Sequence, residues 1–222
     1  MNPALRASAA HVFVDVLDAV ELSKDDAHHL FRVLRLRDGE SVTVSDGHGS
    51  WRSSVVSASS LAVTSDVTVE PAQPALTIAT AIPKGDRAEW MVQKLTELGV
   101  SEIVLLHCER SVVHWKGDHG VQQLARLTRV AREAAMQCRR VWLPQLRGPV
   151  QFAEVAALPG AVVADPDGEA LCGASVVLIG PEGGLTAAER QLCQRSVCLG
   201  PNILRVETAA VAAAAIVRGN GR

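Results

Sequence analysis

Two stretches of this chain share one construction, and that construction limits the folds open to it. In "SVVLIGPEGGLTAAER" (175–190) an unbroken apolar run meets a Gly-Pro loop and then a segment with helix-start signals. In "SVCLGPNILRVETAAVAAAAIVRG" (196–219) the same order recurs, ending in an alanine-rich helical pattern. An apolar run that does not alternate reads as a strand buried on both faces, as in a parallel sheet covered by helices. Three further runs of this kind, "LTIATAI" (76–82), "EIVLLHC" (102–108) and "AVVAD" (161–165), lie upstream. Helical patterns cover roughly 86–98, 119–138, 186–195 and 206–218. Strands alternating with helices predict an α/β domain with a largely parallel sheet. Asp86 with Glu89, and Thr186 with Glu189, have capping-box spacing, and Gly99 suits the left-handed residue that closes a helix.

Ahead of Pro71 and Pro74 the texture differs. "HVFVDV", "ESVTVSDG", "WRSSVVSAS" and "LAVTSDVTVE" are short, β-branched and punctuated by turns, which predicts a small barrel or sandwich. One helix interrupts it, "SKDDAHHLFRVLRL", with Ser23 as N-cap and Asp25 and Asp26 in its first turn. The chain therefore reads as two domains, 1–72 and 73–222.

Composition excludes several classes. No eighteen-residue apolar window exists, so no membrane span is expected, and the first residues lack the apolar core of a secretory signal. The expectation is a cytoplasmic protein. Five cysteines without a CxxC pair, and seven histidines without HxH or HxxxH spacing, give no support for a disulfide framework or a metal site. The net charge of −2 names no partner, but it is unevenly spread. Between His119 and Phe152 stand six arginines (126, 129, 132, 139, 140 and 147) and one acid, Glu133. A one-signed stretch of this kind favours a phosphate-rich partner, against the plainer reading of solvated surface charge.

The loop "GPEGG" is neither a phosphate loop nor a dinucleotide-binding loop. It lacks the lysine that neutralises phosphates, and Glu182 would repel them. It offers close approach to bare backbone N–H and C=O groups, which suits an adenine or ribose edge, and a carboxylate, which suits a cation. A ligand carrying adenosine and a positive sulfonium fits that inventory; a purely structural tight turn fits it equally. Two Gly-Pro loops at the C-terminal ends of neighbouring strands stand where open α/β sheets hold ligands.

"IPKGDRAEWMVQKLTELGV", "CERSVVHW", "REAAMQCRR", "LIGPEGGLTAAE" and "LGPNILRVETAAVAA" together resemble the 16S ribosomal RNA uridine-N3 methyltransferases, the small-subunit methyltransferase E family of the SPOUT, or trefoil-knot, superfamily. "HHLFRVLRLRDGESVTVSDGHG" resembles that family's N-terminal barrel. The resemblance implies a PUA-like β-barrel that binds RNA over 1–72 and a knotted parallel-sheet methyltransferase domain over 73–222. It implies S-adenosylmethionine as cofactor, no metal, and a homodimer with active sites at the subunit interface. It further implies 16S rRNA of the small ribosomal subunit as substrate, with N3-methyluridine as product. Another RNA target (a tRNA or 23S rRNA), or a non-catalytic RNA-binding assembly factor, are the alternatives.

The resemblance places the cofactor on Ala164 and Asp165 at one strand end, on Ile179, Gly180, Pro181, Glu182, Gly183 and Gly184, and on Leu199, Gly200, Pro201, Ile203, Leu204, Arg205, Thr208 and Ala209. Uridine N3 is a poor nucleophile until deprotonated, so a base or cationic help for the developing O2/O4 charge is needed. Arg205 is the candidate for stabilising that charge; its other reading is a salt bridge to Glu207 or a terminal carboxylate. Glu207 is a possible base or an acid placed well at a helix N-terminus, and Glu182 a possible base or sulfonium partner. Candidate RNA contacts are Arg32, Arg35 and Arg37 in the barrel, Lys84, Arg87 and Lys94 on the first strand–helix unit, and Arg110, Arg139 and Arg140. Residues 1–72 hold six Lys/Arg against ten Asp/Glu and no tyrosine, so base stacking there would fall to Phe31 or Trp51.

Overall fold

The computed structural model describes residues 2–219. The chain forms two compact units, one up to Gln73 together with Glu133–Leu143, the other comprising Pro74–Arg132 and the chain from Pro144 onward.

The first unit opens with a one-turn helix α1 (Pro3–Ala7), capped by the Asn2 side chain on Ala4 N. Strand β1 (Ala10–Phe13) follows, and then helix α2 (Lys24–His28). Ser23 caps α2 as expected, accepting from Asp26 N at 3.0 Å, and the helix continues as a π-helical turn over His29–Val33. Strands β2 (Ser41–Ser45), β3 (Ser50–Ser57), β4 (Ser60–Val63) and β5 (Thr68–Val69) complete a five-stranded sheet. β1 runs parallel to β2, while β2, β3 and β4 form an antiparallel meander and β5 pairs with the start of β3. Val12, Leu30, Val42, Val44 and Val56 form its core.

His11 lies in that sheet, 1 % exposed, with Nδ1 2.8 Å from the Thr43 hydroxyl. Burial, and then the charge of Arg139, push its pKa down to about 3. The unfolded chain therefore binds a proton between about pH 6.5 and pH 3 that the folded chain refuses, so stability is present above 6.5 and falls as the pH drops through this window. Lowering the pH from 7 to 5 is expected to cost about 2 kcal/mol from this group alone. Urea unfolding at the two pH values checks it: the shift should shrink in His11→Gln, and an equal shift in that variant refutes the assignment.

The second unit is a six-stranded, wholly parallel sheet. Its elements are β6 (Thr77–Ala81), α3 (Arg87–Glu97), β7 (Glu102–His107), α4 (Gly117–Cys138, whose end from Glu133 belongs to the first unit), β8 (Gln145–Gln151), α5 (Phe152–Ala156), β9 (Ala161–Ala170), β10 (Val176–Ile179), α6 (Ala187–Gln191), β11 (Arg195–Cys198) and α7 (Val206–Gly219). The strands lie in the order β11-β9-β10-β6-β7-β8. That order is consistent with the trefoil-knotted arrangement the resemblance implies. The central strands β10 and β6 are buried apart from Thr77 at the start of β6, which is why they are written as continuous apolar runs. α7 packs on α3, β6 and β10 through Ala210, Ala213 and Ala214, all fully buried, so its alanines serve close approach.

Several details depart from expectation. β8 was not anticipated because "QLRGPVQ" carries Gly148 and Pro149 and is only partly buried, as suits an edge strand. α6 stops at Gln191, since β11 already begins at Arg195. Asp86 adopts helical dihedrals and its side chain makes no cap; Glu89 instead pairs with Arg126 at 2.6 Å. The Thr186–Glu189 capping box is formed in both directions. β9 does not end at Asp165 but resumes after an excursion: Ser196 pairs with Val163 and Val197 with Glu169, leaving 164–168 looped out.

Candidate cofactor site

That excursion, the loop after β10 and the loop after β11 surround one cavity of about 250 Å³. Its walls are Ala164, Asp165 and Pro166 from β9, Ile179 to Glu182 with Gly184 and Leu185 behind β10, and Arg190 from α6. Leu199, Gly200, Asn202, Ile203 and Leu204 supply the β11 side, and Val206 and Ala209 the start of α7. The loop after β10 turns tightly, Gly184 N–H donating to the Pro181 carbonyl at 2.8 Å with Gly184 at φ +71°. A Cβ on Gly180 would stand 2.8 Å from Cγ of Leu185, itself a wall residue, so any larger residue there would displace that wall. Of the anticipated cofactor residues, Gly183, Pro201, Arg205 and Thr208 are not part of the wall. Pro166, Leu185, Arg190, Asn202 and Val206 are wall residues that sequence reasoning missed. Most are neighbours of named positions, but nothing in sequence linked Arg190 to Asp165, which it meets at 2.9 Å.

Three carboxylates and three arginines set the electrostatics. Asp165 is mostly buried and held by Arg190 and by the Asp167 N–H at 3.1 Å. Glu182 is exposed on the glycine loop. Glu207 is buried in the first turn of α7, its Oε1 3.2 Å from Arg87 Nη1 and its Oε2 without a partner. Arg205 is exposed between two wall residues and makes no ion pair among the described residues, so the alternative of a bridge to Glu207 is not realised; Arg87 fills that place. This explains a cation in the first turn of α3, where the helix dipole disfavours one.

The expected RNA contacts divide by what already engages them. Arg32, Arg35 and Arg37 are exposed beside Val33 and Leu34, and Lys84 and Arg110 are also exposed. Lys94 pairs with Glu97 at 2.8 Å. Arg139 is spent on structure: its guanidinium donates to the carbonyls of Met136, Ser8 and Ala9, each at 3.0 Å. Arg140 is half-buried. Trp51, a stacking candidate, is 3 % exposed and donates to Glu70, so it presents no face to a base; Phe31 is half-buried against the barrel core. Among the described residues no group of three or more His, Cys, Asp or Glu could hold a metal, and no helix is long and apolar enough to cross a membrane. Cys108 has its thiol pushed up to about 12 by burial first and Glu189 second, so it stays protonated at neutral pH.

A covered parallel sheet with two Gly-Pro loops closing one cavity at its C-terminal edge defines a nucleoside-binding α/β protein. Comparison with known proteins narrows the class. The model of the RNA methyltransferase domain matches residues 70–218, and that of the RNA methyltransferase PUA domain matches 22–64. Ribosomal RNA small subunit methyltransferase E of Mycobacterium bovis is 30 % identical over 214 residues, covering 85 % of this chain and 82 % of the relative. A Legionella pneumophila protein assigned as a methyltransferase, solved with the bound cofactor SAM, aligns at a TM-score of 0.81 and 27 % identity, over 95 % of this chain and 97 % of that one. Ribosomal RNA small subunit methyltransferase E of Neisseria gonorrhoeae, solved bound to S-adenosyl methionine, aligns at 0.78 and 26 %, over 93 % and 95 %. The chain belongs to the ribosomal RNA small subunit methyltransferase E family.

Proposed function

We propose that this protein transfers a methyl group from S-adenosylmethionine to N3 of a uridine in 16S rRNA. The observation that carries the reading is the convergence of two side-chain-poor loops on one cavity, with an exposed Arg205, in no ion pair among the described residues, between two of its wall residues. The fit to the cofactor rests on the walls themselves: bare backbone at Gly180 and Gly184, apolar Ile179, Leu199 and Leu204 for an adenine face, and carboxylates at Asp165 and Glu182 for a ribose edge and a cation. Relatives solved with this cofactor support the same assignment.

Bound S-adenosylmethionine supplies an electrophilic methyl group on a sulfonium. The protein's task is to hold uracil N3 in line with it and to favour the deprotonated base. Arg205 offers a planar set of donors to the O2/O4 charge that develops as the N3 proton leaves. Glu182, exposed on the loop, is positioned as partner for the sulfonium or acceptor for the proton. Glu207, held by Arg87 and shut from water, fixes the start of α7 and thereby the backbone of Arg205. Arg32, Arg35, Arg37, Lys84 and Arg110 contact RNA phosphates; contacts of this kind set position without reading sequence. The reading also includes a homodimer, supported by Ile203, an apolar cavity residue 89 % exposed in the single chain.

Nucleoside mass spectrometry of 16S rRNA tests the reading. Deleting the gene should abolish N3-methyluridine and complementation should restore it; an undiminished level in the deletion strain defeats the substrate assignment.

A further inference from the structure

A second, larger cavity of about 420 Å³ opens beyond the C-terminal ends of β7 and β8. His107, the last residue of β7, and His114 face each other edge-on at 5.4 Å and 71°, with Gln151 from the end of β8, Phe152 at the start of α5 and Leu192 beyond α6 completing much of the wall. Its position is on the same edge of the sheet as the cofactor cavity. The chemistry is not that of a metal or phosphate site. Its walls carry the rings of His107, His114 and Phe152, the Gln151 amide and the carboxylates Glu109 and Glu189, and the Nε2 atom of His107 is buried with no hydrogen-bond partner among the described residues. Burial, then His114 and Lys116, lower the His107 pKa, which keeps the ring neutral, with one donor and one acceptor nitrogen.

Helix α6 contributes to both cavities, Ala188 and Glu189 to the second and Arg190 to the first. Glu189 lines the second one, and its Oε1 accepts from Glu109 N at 2.9 Å while its Oε2 accepts from Thr186 N at 2.9 Å, behind the glycine loop. Arg110 lies against that loop, its Cβ 3.3 Å from where a Gly183 Cβ would stand. A molecule occupying the second cavity therefore sits one short segment, Cys108–Arg110, away from the cofactor loop, with the exposed cations Arg110 and Lys116 flanking that segment.

We propose that this cavity receives an unstacked base of the substrate RNA, a neighbour of the nucleotide being methylated, stacked on the exposed His114 ring and hydrogen-bonded to the Gln151 amide. Sequence-specific RNA recognition works on splayed bases held between rings with their edges bonded, and these walls provide both elements. The site rests on the RNA methyltransferase reading above, but not on the identity of the methylated atom.

The test is RNA affinity without catalysis. A fluorescein-labelled fragment of 16S rRNA is titrated with the full chain, without cofactor, and followed by anisotropy; calorimetry follows S-adenosylmethionine separately. Ala153→Trp, at an exposed wall position, fills the cavity, and His114→Ala removes an exposed ring. Each is expected to weaken RNA binding about tenfold, the scale of one lost base stack, with cofactor affinity unchanged. His114→Phe, which keeps a ring, should restore binding. RNA affinity within twofold of wild type in both Ala153→Trp and His114→Ala overturns the proposal, and so does a loss confined to cofactor affinity. A wild-type protein that binds RNA as described yet makes no N3-methyluridine defeats the proposed function and leaves this site standing.

Discussion

Arg205→Ala is expected to lower kcat by about a hundredfold while leaving S-adenosylmethionine affinity and thermal stability near wild type. Removing one preorganised donor from developing negative charge typically has an effect of this size, because the lost interaction is stronger in the transition state than in the ground state. The structure separates this effect from simple damage. Arg205 is exposed, forms no ion pair among the described residues and is not part of the cavity wall, so its truncation leaves neither a buried charge nor a hole. Arg205→Lys should recover only part of the rate, since an ammonium cannot match two oxygens with a planar fork. Single-turnover methylation of an rRNA fragment at saturating cofactor measures both variants. A rate for Arg205→Ala within threefold of wild type would remove Arg205 from the chemistry and shift attention to Lys84 and Arg110, two further exposed cations of this unit.

The contrast between Arg205 and Arg87 shows what the sequence could and could not convey. Both arginines lie close to helix starts, and nothing in their local patterns says which is free. The ion pair joins residues 120 positions apart in the chain, so only the packing of α3 on α7 reveals it. Arg139 is a similar case: in sequence it is one of a basic run, but at φ +60°, just past the end of α4, its side chain turns back onto three carbonyls. Features carried by local chemistry were legible. Buried strands announce themselves by unbroken apolar runs, the Thr186–Glu189 box by its spacing, and the two loops by Gly-Pro followed by a helix. β8 was not legible, because an edge strand needs no continuous apolar run and tolerates the glycine and proline that argue against it. The excursion in β9 was hidden for the same physical reason in reverse: "ADPDG" reads as a strand's end, and only the pairing of Glu169 and Ala170 with Val197 and Cys198 shows the strand resuming.

That excursion is the object of the second large expected effect. Gly168 closes it, and a Cβ there would stand 2.5 Å from Val197 N and 2.6 Å from the Ser196 and Val197 carbonyl carbons. These are backbone atoms of a paired strand, which cannot swing aside as a side-chain tip can. Gly168→Ala must therefore push β9 and β11 apart or shift the looped-out residues, and an overpacked core site typically costs about 1–3 kcal/mol. The shift falls on Ala164, Asp165 and Pro166, which form one wall of the cofactor cavity, and on the Asp165–Arg190 pair that ties this wall to α6. The expected result is a lower thermal midpoint together with at least about a tenfold loss of S-adenosylmethionine affinity, about 1.4 kcal/mol, by calorimetry. Gly173→Ala is the matched control. It sits at φ +60° with nothing within 4 Å of an added Cβ, so it carries the backbone cost of a left-handed alanine, about 1 kcal/mol, without touching the wall. The two variants should thus differ in cofactor affinity even where their stabilities are close. Equal affinities would mean that the cavity is shaped by the two Gly-Pro loops alone, and that the excursion in β9 carries Asp165 past the ligand rather than to it.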